Sequence, residues 1–362
     1  MSKLSITNVR IFDGEKIIKE RGIVTIDENG LLTDDPSDSV FDATGMTILP
    51  GLWDTHVHLS DPTPRTIENS IPILRNMVKC GITTAIDTGN MSQEQYDFIR
   101  SRQELPDVRY VGNFATSTGA THSKFRMANS ESIVDTVNAA TTFVSQRVKQ
   151  GADYIKIVAD VPGPTQEIID QLSKEAQSHE KPVIVHSAIK AAFDMALEAE
   201  PSVHVITHVP MDEPITQEAA CKAAEGDIIS VPTLVLSEAV CKANYKPHYK
   251  FSVAMESIKQ LYRAGVTILV GTDSNASSIG VKHGEALFRE MELLAEAGMK
   301  PIEILNAATQ LSAKCFNILD RGAIAPGKRA DLVLVDGDPT EDLQALRKVK
   351  KVWKAGQEIY SA

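Results

Sequence analysis

The chain has no run of eighteen apolar residues, so nothing in it reads as a bilayer-spanning helix. Its first residues, MSKLSITNVR, lack the apolar core of a secretory signal. The four cysteines, Cys80, Cys221, Cys241 and Cys315, lie far apart and form no C-x-x-C pair, which argues against both a zinc ribbon and a disulfide framework. Reduced, mostly buried thiols remain, and a cytoplasmic protein is the expectation. There is no basic excess either. The formal net charge of -11 is spread along the chain rather than gathered in a tail; it favours solubility and disfavours contact with nucleic acid. The expected partner is a small-molecule substrate, with neither nucleic acid nor membrane; a homo-oligomer is left open.

What is present is an ordinary globular composition, 43% apolar and 23% charged over 362 residues, enough for one large domain and a small accessory one. Between residues 50 and 275 eight short apolar runs recur: ILPGLWDTHVH, GITTAIDTG, VRYVGNFAT, ADYIKIVAD, PVIVHSA, SVHVITHV, DIISVPTLV and VTILVGTDS. The segments between them, such as SIVDTVNAATTFVSQRVKQG and PTQEIIDQLSKEAQSHE, place apolar residues three and four apart, as amphipathic helices do. This is the rhythm of βα units, and eight of them predict an α/β fold, a (β/α)8 TIM-type barrel over residues 50–324. Both ends instead alternate apolar and polar residues, in SITNVRIFDG, GIVTIDENG, ADLVLVDGD and KVWKAGQEI. Residues 1–49 and 325–362 are therefore expected to share one small β-sandwich domain, with no low-complexity linker between it and the barrel.

In a parallel barrel the working face lies at the C-terminal ends of the strands, so an ionisable residue that closes an apolar run points into a common mouth. Six residues stand in such places: His56, His58, Lys156, His186, His208 and Asp273. His56 and His58 are two apart, and a strand's period of two puts both imidazoles on one face, towards one metal ion. His186 in VIVHS and His208 in VITHVP add two more imidazoles. Asp273 closes the eighth run; ring closure brings it beside the first, where its carboxylate can bind the same ion and take a proton from a water. Lys156 is the odd member, because an ammonium among imidazoles and metals is repelled unless its charge is removed. Carboxylation by carbon dioxide would turn it into a carbamate, N6-carboxylysine, with two oxygens able to bridge two ions.

ILPGLWDTHVHL, ADYIKIV, VIVHSA, VITHVP, VGTDS and the closing AIAPGKRADLVLVDGDP together resemble the amidohydrolase superfamily over almost the whole chain. Within it the sequence is similar to the branch of imidazolonepropionase-like proteins and bacterial Xaa-Pro dipeptidases, ochratoxin-hydrolysing relatives included, more than to the adenosine deaminases. The resemblance implies two divalent ions, with zinc leading and manganese, cobalt and iron also compatible. His56, His58 and Asp273 would hold one, His186 and His208 the other, with carboxylated Lys156 bridging. A hydroxide shared between them would be the nucleophile. The family also places a His after the third strand that polarises the substrate carbonyl, and ATSTGATHS offers His122, there as catalytic and substrate-binding residue.

Blander readings stand beside these. Lys156 would otherwise form an ion pair at the mouth, and His122 would be a loop histidine bonded to backbone. Tyr245, in CKANYKPHYKF after the seventh run, is the substrate-binding candidate for a carboxylate or oxyanion, although loop tyrosines often pack or face solvent. Lys124, Arg126, Arg65 and Lys246 share those mouth loops. His248 and His283 carry less weight. His179 and His204 default to solvent or packing, with His204 expected deeper on the strand that carries His208. The Lys and Glu residues between strands read as solvated helix faces. The functional expectation is a metal-dependent hydrolase that cleaves an amide-like C–N bond, with dipeptides and N-acyl amino acids leading. Lactone or carbamate hydrolysis, a mononuclear deaminase or decarboxylase, and a non-enzymatic scaffold are the alternatives. Filled ligand positions argue against the scaffold.

Overall fold

Each of the eight apolar runs forms a parallel strand. The computed structural model describes residues 2–60, 67–124 and 128–362, with 67–69 by backbone alone. The N-terminal part contributes β1 (Leu4–Phe12), β2 (Ile17–Ile26), β3 (Leu32–Thr33), β4 (Val40–Asp42) and β5 (Met46–Pro50). The eight runs become β6 (Leu52–Val57), β7 (Ile82–Asp87), β8 (Asp107–Tyr110), β9 (Ile155–Val158), β10 (Val183–His186), β11 (Val205–Thr207), β12 (Ile229–Val231) and β13 (Thr267–Ile268). The C-terminal part adds β14 (Leu332–Asp336), β15 (Val349–Lys354) and β16 (Gln357–Ser361).

Helices fill the gaps between the parallel strands: α1 (Ile67–Lys79), α2 (Gln93–Arg100), α3 (Val137–Lys149), α4 (Gln166–Ser178), α5 (Lys190–Leu197), α6 (Gln217–Glu225), α7 (Leu234–Lys242) and α8 (Phe251–Arg263). Beyond β13 follow α9 (Glu285–Glu296), α10 (Pro301–Ala307) and α11 (Gln310–Cys315). Several begin where a threonine hydroxyl takes an orphan N–H of the first turn: Thr136 for α3, Thr165 for α4 and Thr216 for α6. Among the described residues no helix is long and apolar enough to cross a membrane.

β6, β7 and β8 pair in parallel, and β9 to β13 pair in parallel in chain order. Backbone bonds also run across both gaps between these groups. Val158 N–H donates to Ala115 O at 2.9 Å, and Thr55 N–H to Val270 O at 3.0 Å. Helices on the outside and side chains within leave β6 and β7 buried along their whole length. That burial on both faces is why these runs read as continuously apolar rather than alternating.

An inner cluster takes one buried side chain from each successive strand or the residue adjoining it: Trp53, Ile86, Val111, Tyr154, Ile184, Val205, Val231 and Leu269. Phe316 and Ile318, after α11, pack against it. It fills the interior beneath the functional end, so the strand ends above it rest on a packed floor.

Strands from the two chain ends share one mixed eight-stranded sheet, ordered β16-β15-β14-β5-β1-β2-β3, with β4 also paired to β1. It has its own core, including Ile6, Val9, Ile48, Leu332, Leu334 and Trp353. Asp107, at the start of β8, ties this sheet to the barrel. Its carboxylate meets Arg321, Arg329 at 2.7 Å and Lys354 at 3.3 Å, while Lys354 Nζ also donates to Leu105 O at 2.5 Å. Three cations hold the Asp107 carboxyl far below its usual range despite burial. All four cysteines are free, Cys80 buried and Cys221 exposed.

Candidate active site

The six residues picked from the ends of the apolar runs meet at one end of the parallel strands, on the floor of a cavity of about 580 Å³. His56 lies within β6, His58 just beyond it, Lys156 within β9, His186 at the end of β10, His208 directly after β11, and Asp273 after β13. Asp273 is the hub. Its Oδ1 lies 3.0 Å from His58 Nε2 and 3.5 Å from His56 Nε2, and its Oδ2 lies 3.6 Å from His208 Nε2. His208 Nε2 is in turn 2.9 Å from His186 Nδ1. The main chain turns at Asp273 with φ of 55°, and its N–H donates to His56 O at 2.8 Å, locking the eighth run to the first. A Cβ at Gly271 would lie 3.0 Å from His56 Cβ and 2.5 Å from Val231 Cγ1, so only glycine allows this approach.

Threonines orient two of the imidazoles from behind. Thr207 Oγ1 lies 2.9 Å from His56 Nδ1, and the Thr233 hydroxyl bonds His208 Nδ1. With each Nδ1 so engaged, each Nε2 is the nitrogen turned to Asp273. His283, a weak candidate in the sequence, is buried, and its Nε2 lies 3.0 Å from His58 O.

Burial governs the charge states. It pushes His56 and His186 well below their ordinary pKa, with the positive Lys156 adding to both; His122 is the larger neighbour effect on His186. His208 falls to about 3 by burial, against the pull of Asp273. Burial also opposes charge on His58, but the bond to Asp273 outweighs it and raises that imidazole. For Asp273 burial works upward, yet His208, His58 and Lys156 win and keep it below the usual carboxylate range. Beneath the floor, burial lifts Asp54 to about 7 even though it accepts from Thr272 N–H at 3.0 Å and Thr272 Oγ1–H at 2.7 Å.

Lys156 is 3% exposed, and among the described residues its Nζ has no hydrogen-bond partner. Burial drops its pKa to about 7. Among the described residues no ordinary ion pair holds it. The donor set fits divalent ions: imidazoles of which burial keeps His56, His186 and His208 neutral, an ionised carboxylate, and a buried amine with no hydrogen-bond partner among the described residues. Among the described residues two groups have ligating atoms within 4.8 Å of one another, His56 with His58 and Asp273, and His122 with Asp160 and His186.

His122 stands in a 3-10 turn (His122–Lys124) at the cavity wall, its ring 4.4 Å from that of His186. Asp160 Oδ2 accepts from its backbone N–H at 3.1 Å and lies 2.7 Å from its Nδ1. Tyr245 lines the rim and is 51% exposed, at the mouth rather than near the floor. Lys124 and Lys246 line the same cavity, Lys246 bonded to Tyr249 OH at 3.1 Å. Arg65 and Arg126 lie outside the described residues. His204 is exposed just before β11, at the opposite end of that strand from His208, where its Nδ1 accepts from Val183 N–H at 3.3 Å, in keeping with the solvent-facing default expected of it.

Three carboxyls at or near the site escaped the sequence reading. Asp160 and Asp87 each close an apolar run, ADYIKIVAD and GITTAID, and the criterion that selected Asp273 would have found them. Asp87 is buried, accepts from Leu59 N–H at 2.7 Å, and is raised to about 6 by burial against the pull of His58. Glu290 is the third. It sits in α9 with no exposed surface, not on the solvated face expected of inter-strand glutamates.

The chain and its fold have counterparts. A family model for the amidohydrolase family matches residues 47–359. The chain is 23% identical to the 5'-deoxyadenosine deaminase of Methanothermobacter thermautotrophicus, over 91% of this chain and 84% of that one. It is 25% identical to the imidazolonepropionase of Streptomyces griseus, over 89% and 87%. It spans about half the length of the Clostridium perfringens adenine deaminases it also matches. A crystal structure of a Xaa-Pro dipeptidase with methionine bound in the active site superposes with a TM-score of 0.84 at 25% identity, covering 100% of both chains. The fold is that of a TIM barrel with mixed α and β content. The chain belongs to the amidohydrolase family and is a metal-dependent hydrolase acting on carbon–nitrogen bonds.

Proposed function

We propose that this enzyme hydrolyses an amide-like bond of a dipeptide or N-acyl amino acid, with lactones and carbamates as lesser substrates, at a two-ion centre in a cytoplasmic protein. The observation that carries the reading is Lys156: a buried amine with no hydrogen-bond partner among the described residues, facing a floor of mostly neutral imidazoles and one ionised carboxylate. Lys156 would be carboxylated and would join the two ion positions, His56, His58 and Asp273 holding one and His186 and His208 the other. Zinc suits these ligands, as do manganese, cobalt and iron. Ions bound there supply Lewis acidity at the scissile carbonyl and an acidified water as nucleophile.

The chain's own residues do the rest. Asp273, ionised and in contact with three imidazoles, takes the proton of the attacking water and returns it to the leaving amine. His122, steered by Asp160 through both Nδ1 and the backbone N–H, donates to the carbonyl oxygen as charge builds on it. The apolar wall of Phe114, Met211, Leu236 and Val240 excludes water and accommodates an apolar side chain, and Tyr245 with the cavity lysines faces the substrate's anionic end. Part of this reading is that the eight strands close into a ring, supported by the backbone bonds across both gaps. So is a small β-sandwich domain of residues 1–49 and 325–362 beside a barrel of 50–324, supported by the separate core of the eight-stranded sheet.

A one-ion deaminase on the same barrel is the second reading, favoured by the 5'-deoxyadenosine deaminase likeness and by the compact His56, His58 and Asp273 group. Metal analysis by mass spectrometry together with carbon-13 NMR in labelled bicarbonate separates the two. Two ions per chain, a carbamate signal lost in Lys156→Ala, and turnover of N-acyl amino acids or dipeptides are expected. One ion and a free amine at Lys156 would sink the two-ion reading.

A further inference from the structure

The start of α7 departs from those of α3, α4 and α6. In those helices the hydroxyl of the threonine before the first turn accepts from a backbone N–H of that turn. Thr233 occupies the same position before α7 and makes no such bond. Its main chain lies in the left-handed region, at φ 50° and ψ 47°, and its hydroxyl is turned onto His208 Nδ1. A threonine hydroxyl committed to an imidazole nitrogen leaves the first N–H groups of the helix needing another acceptor.

Glu290 provides it from α9. Its Oε2 accepts from Val235 N–H at 2.7 Å, the nearby Leu234 N–H adds a favourable pull on the carboxyl, and its Oε1 has no hydrogen-bond partner among the described residues. The neighbours of Glu290 on its own helix, Leu287, Met291 and Leu294, are wholly buried and apolar, so a carboxyl here is costly unless it meets those N–H groups. Burial raises it, the two N–H groups oppose that, Asp54 adds to the rise and Arg289 counters it.

We propose that Glu290 is a positioning residue for His208: by capping α7 from another helix it releases the Thr233 hydroxyl to hold the imidazole with Nε2 towards Asp273 and His186. The proposal rests on the reading of His208 as a working residue of the site. The same helix carries Leu236 and Val240 of the cavity wall, so one buried carboxyl aligns both a site imidazole and part of the substrate surface.

Nitrogen-15 NMR of histidine-labelled, metal-free protein tests the link, with the His208 resonances assigned by their loss in His208→Asn. Thr233→Val and Glu290→Leu are each expected to move the His208 Nδ1 resonance by several parts per million. In the double variant Glu290→Leu adds nothing further to Thr233→Val, because both act through one hydroxyl. Glu290→Gln, which keeps an acceptor oxygen, restores the wild-type position. Glu290→Asp, which withdraws the carboxylate by one methylene, serves where the leucine variant does not fold. A His208 resonance that stays in place while Glu290→Leu or Glu290→Asp lowers the melting temperature shows a merely structural cap and overturns the proposal, as do additive shifts in the double variant. Failure of the two-ion reading would appear separately, in the metal content of the wild-type protein, because the resonance is read without metal.

Discussion

Replacing Glu290 by glutamine should change how the stability of the metal-free protein depends on pH. Burial lifts this carboxyl to about 8 in the folded chain, against about 4.3 for a solvated glutamate. A raised carboxyl contributes stability that is complete below its unfolded pKa and is lost as pH climbs through the folded one. Across that window the folded state holds a proton that the unfolded state has released, so stability falls by about 1.4 kcal/mol per pH unit. From pH 5 to pH 8 the sum is about 4 kcal/mol. An unfolding entropy of about 2.1 cal/mol/K per residue turns this, for 362 residues, into about 5 °C of melting temperature. Glutamine cannot ionise, so the melting temperature of Glu290→Gln should rise relative to wild type by about 5 °C between those pH values. Any constant offset from the amide cancels in the difference, and Asp54, raised to about 7, titrates in both proteins. Scanning fluorimetry on chelator-treated protein is sufficient, since bound metal would add its own pH dependence. Parallel curves for the two proteins from pH 5 to 8 would refute the buried-proton argument.

Other perturbations have defined outcomes. Asp107→Asn leaves Arg321, Arg329 and Lys354 without their shared carboxylate and should cost about 2 kcal/mol, seen as a lower melting temperature at neutral pH; because that carboxyl is held low in the fold, its contribution in the wild type is present above pH ~4 and is lost in acid, so the two proteins should converge there. Gly271→Ala drives a methyl group against Val231, Thr55 and His56, and should cost about 1–3 kcal/mol and lower bound metal, checked by denaturation and metal analysis. Asp160→Asn should reduce kcat about 10- to 100-fold while metal content stays at the wild-type level; equal activity would remove Asp160 as the steering group of His122.

Much of the working end was legible because barrel strands advertise themselves. Each is a short apolar run, and the residue that closes it must face the mouth, so His56, His58, Lys156, His186, His208 and Asp273 could be named before any coordinates. Asp160 and Asp87 obey the same rule, closing ADYIKIVAD and GITTAID, but neither carries a metal-ligand spacing of its own. Thr207, Thr233 and Glu290 were invisible for a different reason. A threonine that orients an imidazole from the next strand, or a glutamate that caps a helix other than its own, leaves no periodicity in its own segment. Glu290 even mimics a solvated face, flanked by Arg289 and Glu292, and its partner lies 55 residues earlier. The pairing of the two chain ends was legible from their alternation, whereas the strand order of the eight-stranded sheet, a seven-strand path with β4 branching from β1, was not, since alternation does not say which strands become neighbours.

That path has a consequence for how the protein is made. β5 is hydrogen-bonded on one side to β1 and on the other to β14, which is separated from it by nearly the whole chain. On the ribosome, β1 to β5 emerge before the barrel strands, and β5 keeps one edge unpaired until β14 has been synthesised. The small sheet is thus the last part to close, and the nascent chain is most exposed to aggregation on this edge. A chain stalled before β14 should present a finished or nearly finished barrel with an open sheet, the species a chaperone or a protease would meet.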